Sequence, residues 1–348
     1  MEMTYRKLFL LFFIEISFTA CAQHSADSNN SSLPRRITFK PETFSNSFSA
    51  NISPVLRINS GDTIFTETID ASGHDKLGVK RQKGGNPLTG PFYINGSTAG
   101  DILKITLHKV SLNRSDAFTT ESFSSRSMPD SISKQFKRPQ LVKWRLDSKA
   151  GVAYPDSSYI SSHNNLTRCK VPLHPFLGCI GVAPDNNKKE ILSFFQGNFG
   201  GNLDFSGMTE GSTIYLPVFH EGGFFYVGDG HAVQGDGEIA GNALETSLDV
   251  EFSVELIKGG GSNLNSPRVE NSQYRMILGT AKTLDEAIKN ATYGLMAWLQ
   301  EDFHLSTQEC TQILSTSIEY RVAEIADPEV VMVAKIKKEL LKQSAKRH

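Results

Sequence analysis

Between Gly197 and Glu255, glycine, carboxylates and histidine are concentrated more densely than anywhere else in the chain. At the centre, Gly228-Asp229-Gly230-His231-Ala232-Val233-Gln234-Gly235-Asp236-Gly237-Glu238 places one imidazole and three carboxylates in eleven residues. Its glycines let the segment fold sharply back on itself. His231 offers a nitrogen ligand, and Asp204, Asp229, Asp236, Glu238 and Glu245 offer oxygens, a mixture that suits a divalent ion such as zinc or calcium. The same groups can serve as acid and base around a carbonyl, or they can simply shape turns, which Asp and Gly favour for conformational reasons. The spacing matches no fixed metal motif such as HExxH. A dinucleotide fingerprint fails because Val233 stands where Gly or Ala is needed and no βαβ pattern surrounds it. An EF-hand loop fails because its flanks read as strands, and no GxSxG elbow is present.

A second polar cluster, Asp70-Ala71-Ser72-Gly73-His74-Asp75, follows a strand ending at Ile69. It precedes Gly84-Gly85-Asn86-Pro87 and Gly90-Pro91, whose Asn-Pro and Gly-Pro steps demand fixed turns. Loops at one end of a β fold often share a site, so Asp70, His74 and Asp75 are further candidates.

Strands are what must position these groups. From Pro54 onward, short alternating runs are bounded by turn signals. Ser60-Gly61-Asp62, Ala99-Gly100-Asp101 and Glu210-Gly211-Ser212 each launch a strand, which favours a sandwich or barrel. In Leu248 to Leu256 the residues Leu248, Val250, Phe252, Val254 and Leu256 face one way and the polar residues between them face the other. Pro172 to Pro184 reads as buried strand, whereas the serine-rich run Ser111 to Ser133 reads as a long loop. After Lys258 to Ser262 the pattern turns helical, with capping boxes at Thr283–Glu286 and Ser306–Glu309. Val330 to Ile336 then reads as a strand and is followed by a terminal helix. The expected fold is mainly β, sandwich or jelly-roll-like, with a C-terminal α/β segment, α+β overall: a β domain over 34–258 and an α/β segment over 259–348 packed on it.

Composition restricts partners more than chemistry. A net charge of −1 with 21% charged residues argues against a nucleic-acid binder, and the basic residues between Lys335 and Arg347 read as a solvated helix face. Residues 1–20 have the form of an export signal, with Arg6 and Lys7 ahead of the apolar Leu8 to Ile14. Phe18-Thr19-Ala20-Cys21 is similar to a bacterial lipobox, so Cys21 is expected to carry a lipid, with residues 21–33 as a flexible tether. The expectation is an exported periplasmic or outer-membrane lipoprotein of a bacterium, touching the membrane only through that anchor. Ordinary cleavage after the small-x-small triplet Ala20-Cys21-Ala22 would give a secreted soluble protein instead. Cys169 and Cys179 are free to pair in an oxidising compartment, Cys310 reads as a small core residue, and a homo-oligomer is left open.

Four runs then point further: GGNPLTGPFYINGSTAGDILKI, HPFLGCIGVAP, FGGNLDFSGMTEGSTIYLPVFHEGG and VGDGHAVQGDGEIAGNALETSLDVEF, followed by PRVEN at Pro267 to Asn271. In this order they closely resemble the acetamidase/formamidase family from about Arg57 to Lys335. The resemblance implies a mainly β fold with an added α/β part, hydrolysis of short linear amides to acid and ammonia, and, as in some members, a divalent ion. Carried over by residue, Gly-Gly-Asn-x-Asp falls on Gly200 to Asp204, Gly-Asp-x-His-Ala on Gly228 to Ala232, and Gly-Asp-Gly-Glu on Gly235 to Glu238. Several members have His before Gly-Gly-Asn, where this chain has Phe199. On this reading His231, Asp204, Asp229 and Glu245 hold the metal, Glu238 is the general base, Asn202 binds the oxyanion, and Asp236 is a further catalytic candidate. Two alternatives remain: a catalytically inactive surface lipoprotein that binds a small ligand or glycan, and a hydrolase of another amide-like bond.

Overall fold

Alternation decides which strands have a wet face. In Leu248–Ile257 the side chains of Leu248, Val250, Phe252 and Val254 are buried, while Asp249, Glu251 and Ser253 are only partly covered. This strand pairs antiparallel with Thr63–Glu67 on one side and Ile102–Leu112 on the other. The nine-stranded sheet runs in the order Arg36–Thr38, Thr63–Glu67, Leu248–Ile257, Ile102–Leu112, Thr213–Pro217, Arg268–Glu270, Tyr274–Ala281, Val330–Lys337, Glu319–Glu324. The computed structural model describes residues 33–136, 140–185 and 190–344, so the export signal and Cys21 lie outside the described residues.

The second sheet holds the strands that carry the glycine-rich motifs. Phe176–Gly181 and Phe225–His231 are buried at every position, as strands covered on both faces must be. They pair antiparallel with each other, and Gly200–Asn202 lies on the far edge of Phe176–Gly181. On the other side, Phe225–His231 pairs with Glu245–Thr246, which leads through Asp116–Thr120 to the meander Leu141–Asp147 and Val152–Pro155. Phe92, Phe225 and Phe252 meet in the shared apolar core, with ring centroids 5.3 Å apart for Phe92–Phe252 and Phe225–Phe252. The fold is therefore mainly β with C-terminal helices, as expected.

Two local readings change. The run from Ser111 to Ser133 is not one loop, because Asp116–Thr120 is a strand in register with Leu141–Asp147; DAFTT is too short to show a period. Cys169 and Cys179 are both free thiols, the first half-exposed and the second fully buried in the strand Phe176–Gly181. Cys310 is buried in the helix Thr307–Ser317, as its spacing suggests. The C-terminal strands extend the nine-stranded sheet through Thr213–Pro217, so the 259–348 segment shares a backbone ladder with the β domain. Thr283 caps the helix Leu284–Phe303, whose Ala287, Ala291, Leu295, Trp298 and Leu299 form its buried stripe. Ser306 and Glu309 form a complete capping box on the next helix.

One of the strand-launching turns supports a stability prediction. Asp101 is buried and accepts hydrogen bonds from the Thr98 and Gly259 backbone N–H groups and from Lys258 Nζ at 2.7 Å. Burial pushes its pKa up, but Lys258 and the two N–H groups outweigh that and hold it at about 2. The folded carboxyl thus sits below its ordinary value, so its stabilisation is present above about pH 4 and is lost as pH falls through about 2. Asp101→Asn should cost about 2 kcal/mol at neutral pH. Chemical denaturation should show that deficit shrinking as pH is lowered toward 2.

Candidate functional site

The strand Phe225–His231 projects Asp229 and His231 from alternate positions onto one face, and His231 pairs across the ladder with Glu245. Their side chains meet: His231 Nε2 lies 3.3 Å from Asp229 Oδ2 and 3.4 Å from Glu245 Oε1, with Asp204 Oδ1 at 4.0 Å. Asp204 comes from the turn after Gly200–Asn202. Gly178, on the strand between, makes room for the cluster. A Cβ there would lie 2.5 Å from Asp229 Oδ2, 2.6 Å from Asp204 Oδ1 and 2.8 Å from His231 Cε1.

The backbone is strained around this point. Of six non-glycine residues with positive φ among the described residues, four border the cluster: Asn86, Asp204, Asp229 and Glu238, with φ between 44° and 55°. Such conformations cost on the order of 1 kcal/mol each, and they concentrate where side chains must be aimed for function.

The donor atoms converge without partners. Asp204 Oδ1, Asp229 Oδ1, Glu245 Oε2 and both ring nitrogens of His231 are buried and make no hydrogen bond among the described residues. Two donor sets overlap at His231, one with Asp204 and Glu238 and the other with Asp229 and Glu245, each with its ligand atoms within 4.8 Å of one another. Leaving such groups unpaired costs several kcal/mol in sum, and a cation held by either set would satisfy several of them. One imidazole with several carboxylates is a donor set suited to a divalent ion.

Electrostatics give the same answer. Burial, followed by the neighbouring Asp229, raises Asp204 well above the carboxylate range. Burial also raises Glu238, reinforced by Asp204 and Glu324, and raises Glu245. For His231 burial works against the charged ring, but Glu245 and Asp229 outweigh it and raise its pKa. These carboxyls hold or share protons unless another positive charge is supplied.

The candidates divide into three groups. Asp204, Asp229, His231, Glu238 and Glu245 come together. Asn202 joins them in a different role: its Nδ2 donates to Asp204 Oδ2 at 2.7 Å and to Asp327 Oδ2 at 2.8 Å, so both amide hydrogens are committed and it orients carboxylates rather than holding an oxyanion. Asp236 does not join; it is half-exposed and paired with Arg321. Asp70, His74 and Asp75 also stay outside. Asp70 binds the buried Arg114 at 2.8 Å and the His74 backbone N–H, while Asp75 binds Arg81 and caps Leu77 and Val79. The Phe199 ring is turned into the core against Phe48, at 5.4 Å between centroids, and does not stand at the cluster.

Four neighbours were missed by sequence. Asn86 donates to Asn202 Oδ1 and Asp229 Oδ2, and the Cys179 thiol donates to Asn202 Oδ1 at 2.6 Å. Glu324 and Asp327 arrive from the end of the strand Glu319–Glu324, which bridges to Gly237, the residue before Glu238. Burial, followed by Glu324, raises Asp327 to about 7. Arg126 clamps the segment after that strand through the carbonyls of Ile325, Asp327 and Pro328. A larger apolar groove of about 570 Å³ runs between the two long helices past Ile288, Met296 and Leu314, but among the described residues no carboxylate or imidazole lines it.

Comparisons with known proteins bear on the family and the fold. The family model described as "Acetamidase/Formamidase family" matches residues 32–193 and 196–343. The acetamidase of Mycolicibacterium smegmatis is 48% identical over 62 residues, 18% of this chain, and the alignment spans only 15% of that relative's length. Two crystal structures match along most of the chain. A predicted acetamidase/formamidase from Thermoanaerobacter tengcongensis is 25% identical, with a TM-score of 0.76 over 90% of this chain and 99% of that one. An acetamidase from Yersinia enterocolitica is 29% identical, with a TM-score of 0.75 over 89% of this chain and 94% of that one.

Proposed function

The chain belongs to the acetamidase/formamidase family, and we propose that it hydrolyses the carbon–nitrogen bond of a small amide, releasing a carboxylic acid and ammonia, at the cluster around His231. The support is a pair of buried donor sets that share His231, one with Asp204 and Glu238 and the other with Asp229 and Glu245, several of whose polar atoms have no partner among the described residues. That set fits a divalent ion, and the imidazole nitrogen favours zinc over calcium, which prefers oxygen alone. When bound, such an ion supplies Lewis-acid polarisation of the amide carbonyl and eases deprotonation of water.

The protein's own residues do the rest. Glu238, 7% exposed, is the cluster member that borders a cavity open to solvent. From there its carboxylate takes the proton of the attacking water and returns it to the leaving nitrogen. Glu324 lies beside it as the neighbour that shares its charge. Asn202, held by Cys179 and Asn86, keeps Asp204 and Asp327 in place. Export and lipidation at Cys21 belong to the same proposal and rest on the N-terminal sequence.

Gly178→Ala provides the test. The glycine has ordinary strand geometry, so alanine suits its backbone, yet the added methyl enters the focus of the ligand atoms. The purified wild type should release ammonia from formamide or acetamide. The variant should lose at least about 100-fold in kcat and most of its bound metal while staying folded. No ammonia from any amide, or a fully active variant, would overturn the proposal.

A further inference from the structure

Beside Glu238 lies a cavity of about 260 Å³ whose wall is mostly apolar. Trp144 from the strand Leu141–Asp147, Val171, Val233, Ile239, Ala243 and Leu244 line it, and Glu238 stands where it meets the buried cluster. The segment that lines it also builds the site, since the Ala243 backbone N–H holds Glu245 Oε1 at 3.0 Å. Ile239, directly after Glu238, is 42% exposed, an apolar side chain left facing water at the rim.

We infer that this cavity binds the acyl substituent of the substrate, and that the preferred substrates are primary amides of bulky apolar acids, such as arylacetamides or branched amides of five or six carbons, rather than formamide or acetamide. This rests on the amidase reading above. Size decides against the shortest amides: an apolar cavity of about 150 Å³ is enough to hold benzene, and a methyl group would leave this larger one nearly empty. Reaction chemistry decides which end of the amide enters. In RCONH2 + H2O → RCOO⁻ + NH4⁺ the C–N bond breaks and the nitrogen leaves with the proton that Glu238 returns. Ammonia is small and polar and gains nothing from a wall of Trp, Val, Ile and Leu, whereas the group R does. Each methylene buried there is worth about 4-fold in kcat/KM.

The experiment measures ammonia release by the metal-loaded full chain from acetamide, butanamide, hexanamide and phenylacetamide. The inference expects kcat/KM to climb along the series and to reach at least about 100-fold over acetamide for phenylacetamide. In Trp144→Ala, which removes the largest wall, the phenylacetamide-to-acetamide ratio should fall at least about fivefold. Hydrolysis of acetamide with no gain, or a loss, for the larger amides would overturn the assignment and leave the amidase reading standing. An unchanged ratio in a folded Trp144→Ala protein would overturn it as well. Should that variant not fold, the wild-type series decides alone. No ammonia from any member would overturn the amidase reading and this inference with it.

Discussion

Glu238→Gln is expected to lower kcat for amide hydrolysis by about 10²–10⁴-fold, the usual worth of a positioned general base, with KM changed only a few-fold. Glutamine keeps the size and one oxygen of the side chain but cannot accept the proton of an attacking water. The fold should not suffer. Glu238 is buried beside Asp204 and Glu324, and its negative charge is opposed by both burial and those neighbours, so neutralising it removes repulsion. The melting temperature should therefore equal or exceed that of the wild type. Because Glu238 also lies within reach of the ligand set formed by Asp204 and His231, metal content separates its two possible roles. A variant that keeps its metal and loses turnover assigns proton transfer to Glu238. One that loses the metal moves Glu238 into the ligand set, and activity above a tenth of wild type removes it from both.

How much of this was legible in the sequence depended on distance along the chain. Asp229, His231, Glu238 and Glu245 fall within seventeen residues, and strand periodicity plus glycine turns were enough to suggest that they meet. Asp204 was legible through the Gly-Gly-Asn-x-Asp run. Glu324 and Asp327 were not, because their link to Glu238 is a bridge between Gly237 and Glu324 across the sheet edge, and nothing local in Glu324-Ile325-Ala326-Asp327 marks it. Asn86 looked like a turn residue, and it is one, with φ of 49°, but the same strained backbone aims its amide at Asn202 and Asp229. Side-chain direction was the other hidden variable. Phe199 stands directly before the Gly-Gly-Asn run, yet its ring points into the core; Asp70 and Asp75 look like site residues, yet each is consumed by an arginine.

On the proposed metal-bound reading, the same buried charges make stability depend on the ion, and they set the sign of that dependence with pH. Removing the divalent ion with a chelator should lower the melting temperature by roughly 5–10 °C at pH 8, corresponding to about 4 kcal/mol of binding free energy at a thousandfold excess over Kd. At pH 5 the drop should be much smaller. Asp204, Glu238, Glu245 and Glu324 all have folded pKa values raised by burial, and Asp327 is raised to about 7. A carboxyl raised in this way binds its proton more tightly when folded than when unfolded. The stability of the metal-free form is then intact below the unfolded value near 4 and is lost as pH rises through the folded values. In a loaded form an ion held by these residues would take over from the protons, so that decline would disappear, and proton competition would weaken metal binding at the acid end. Thermal scans of chelated and replenished protein between pH 4.5 and 8.5 should therefore diverge as pH rises. Curves that coincide at every pH would show that the cluster is held by its own shared protons and has no cation to lose, and curves that converge toward pH 8 would overturn the predicted sign.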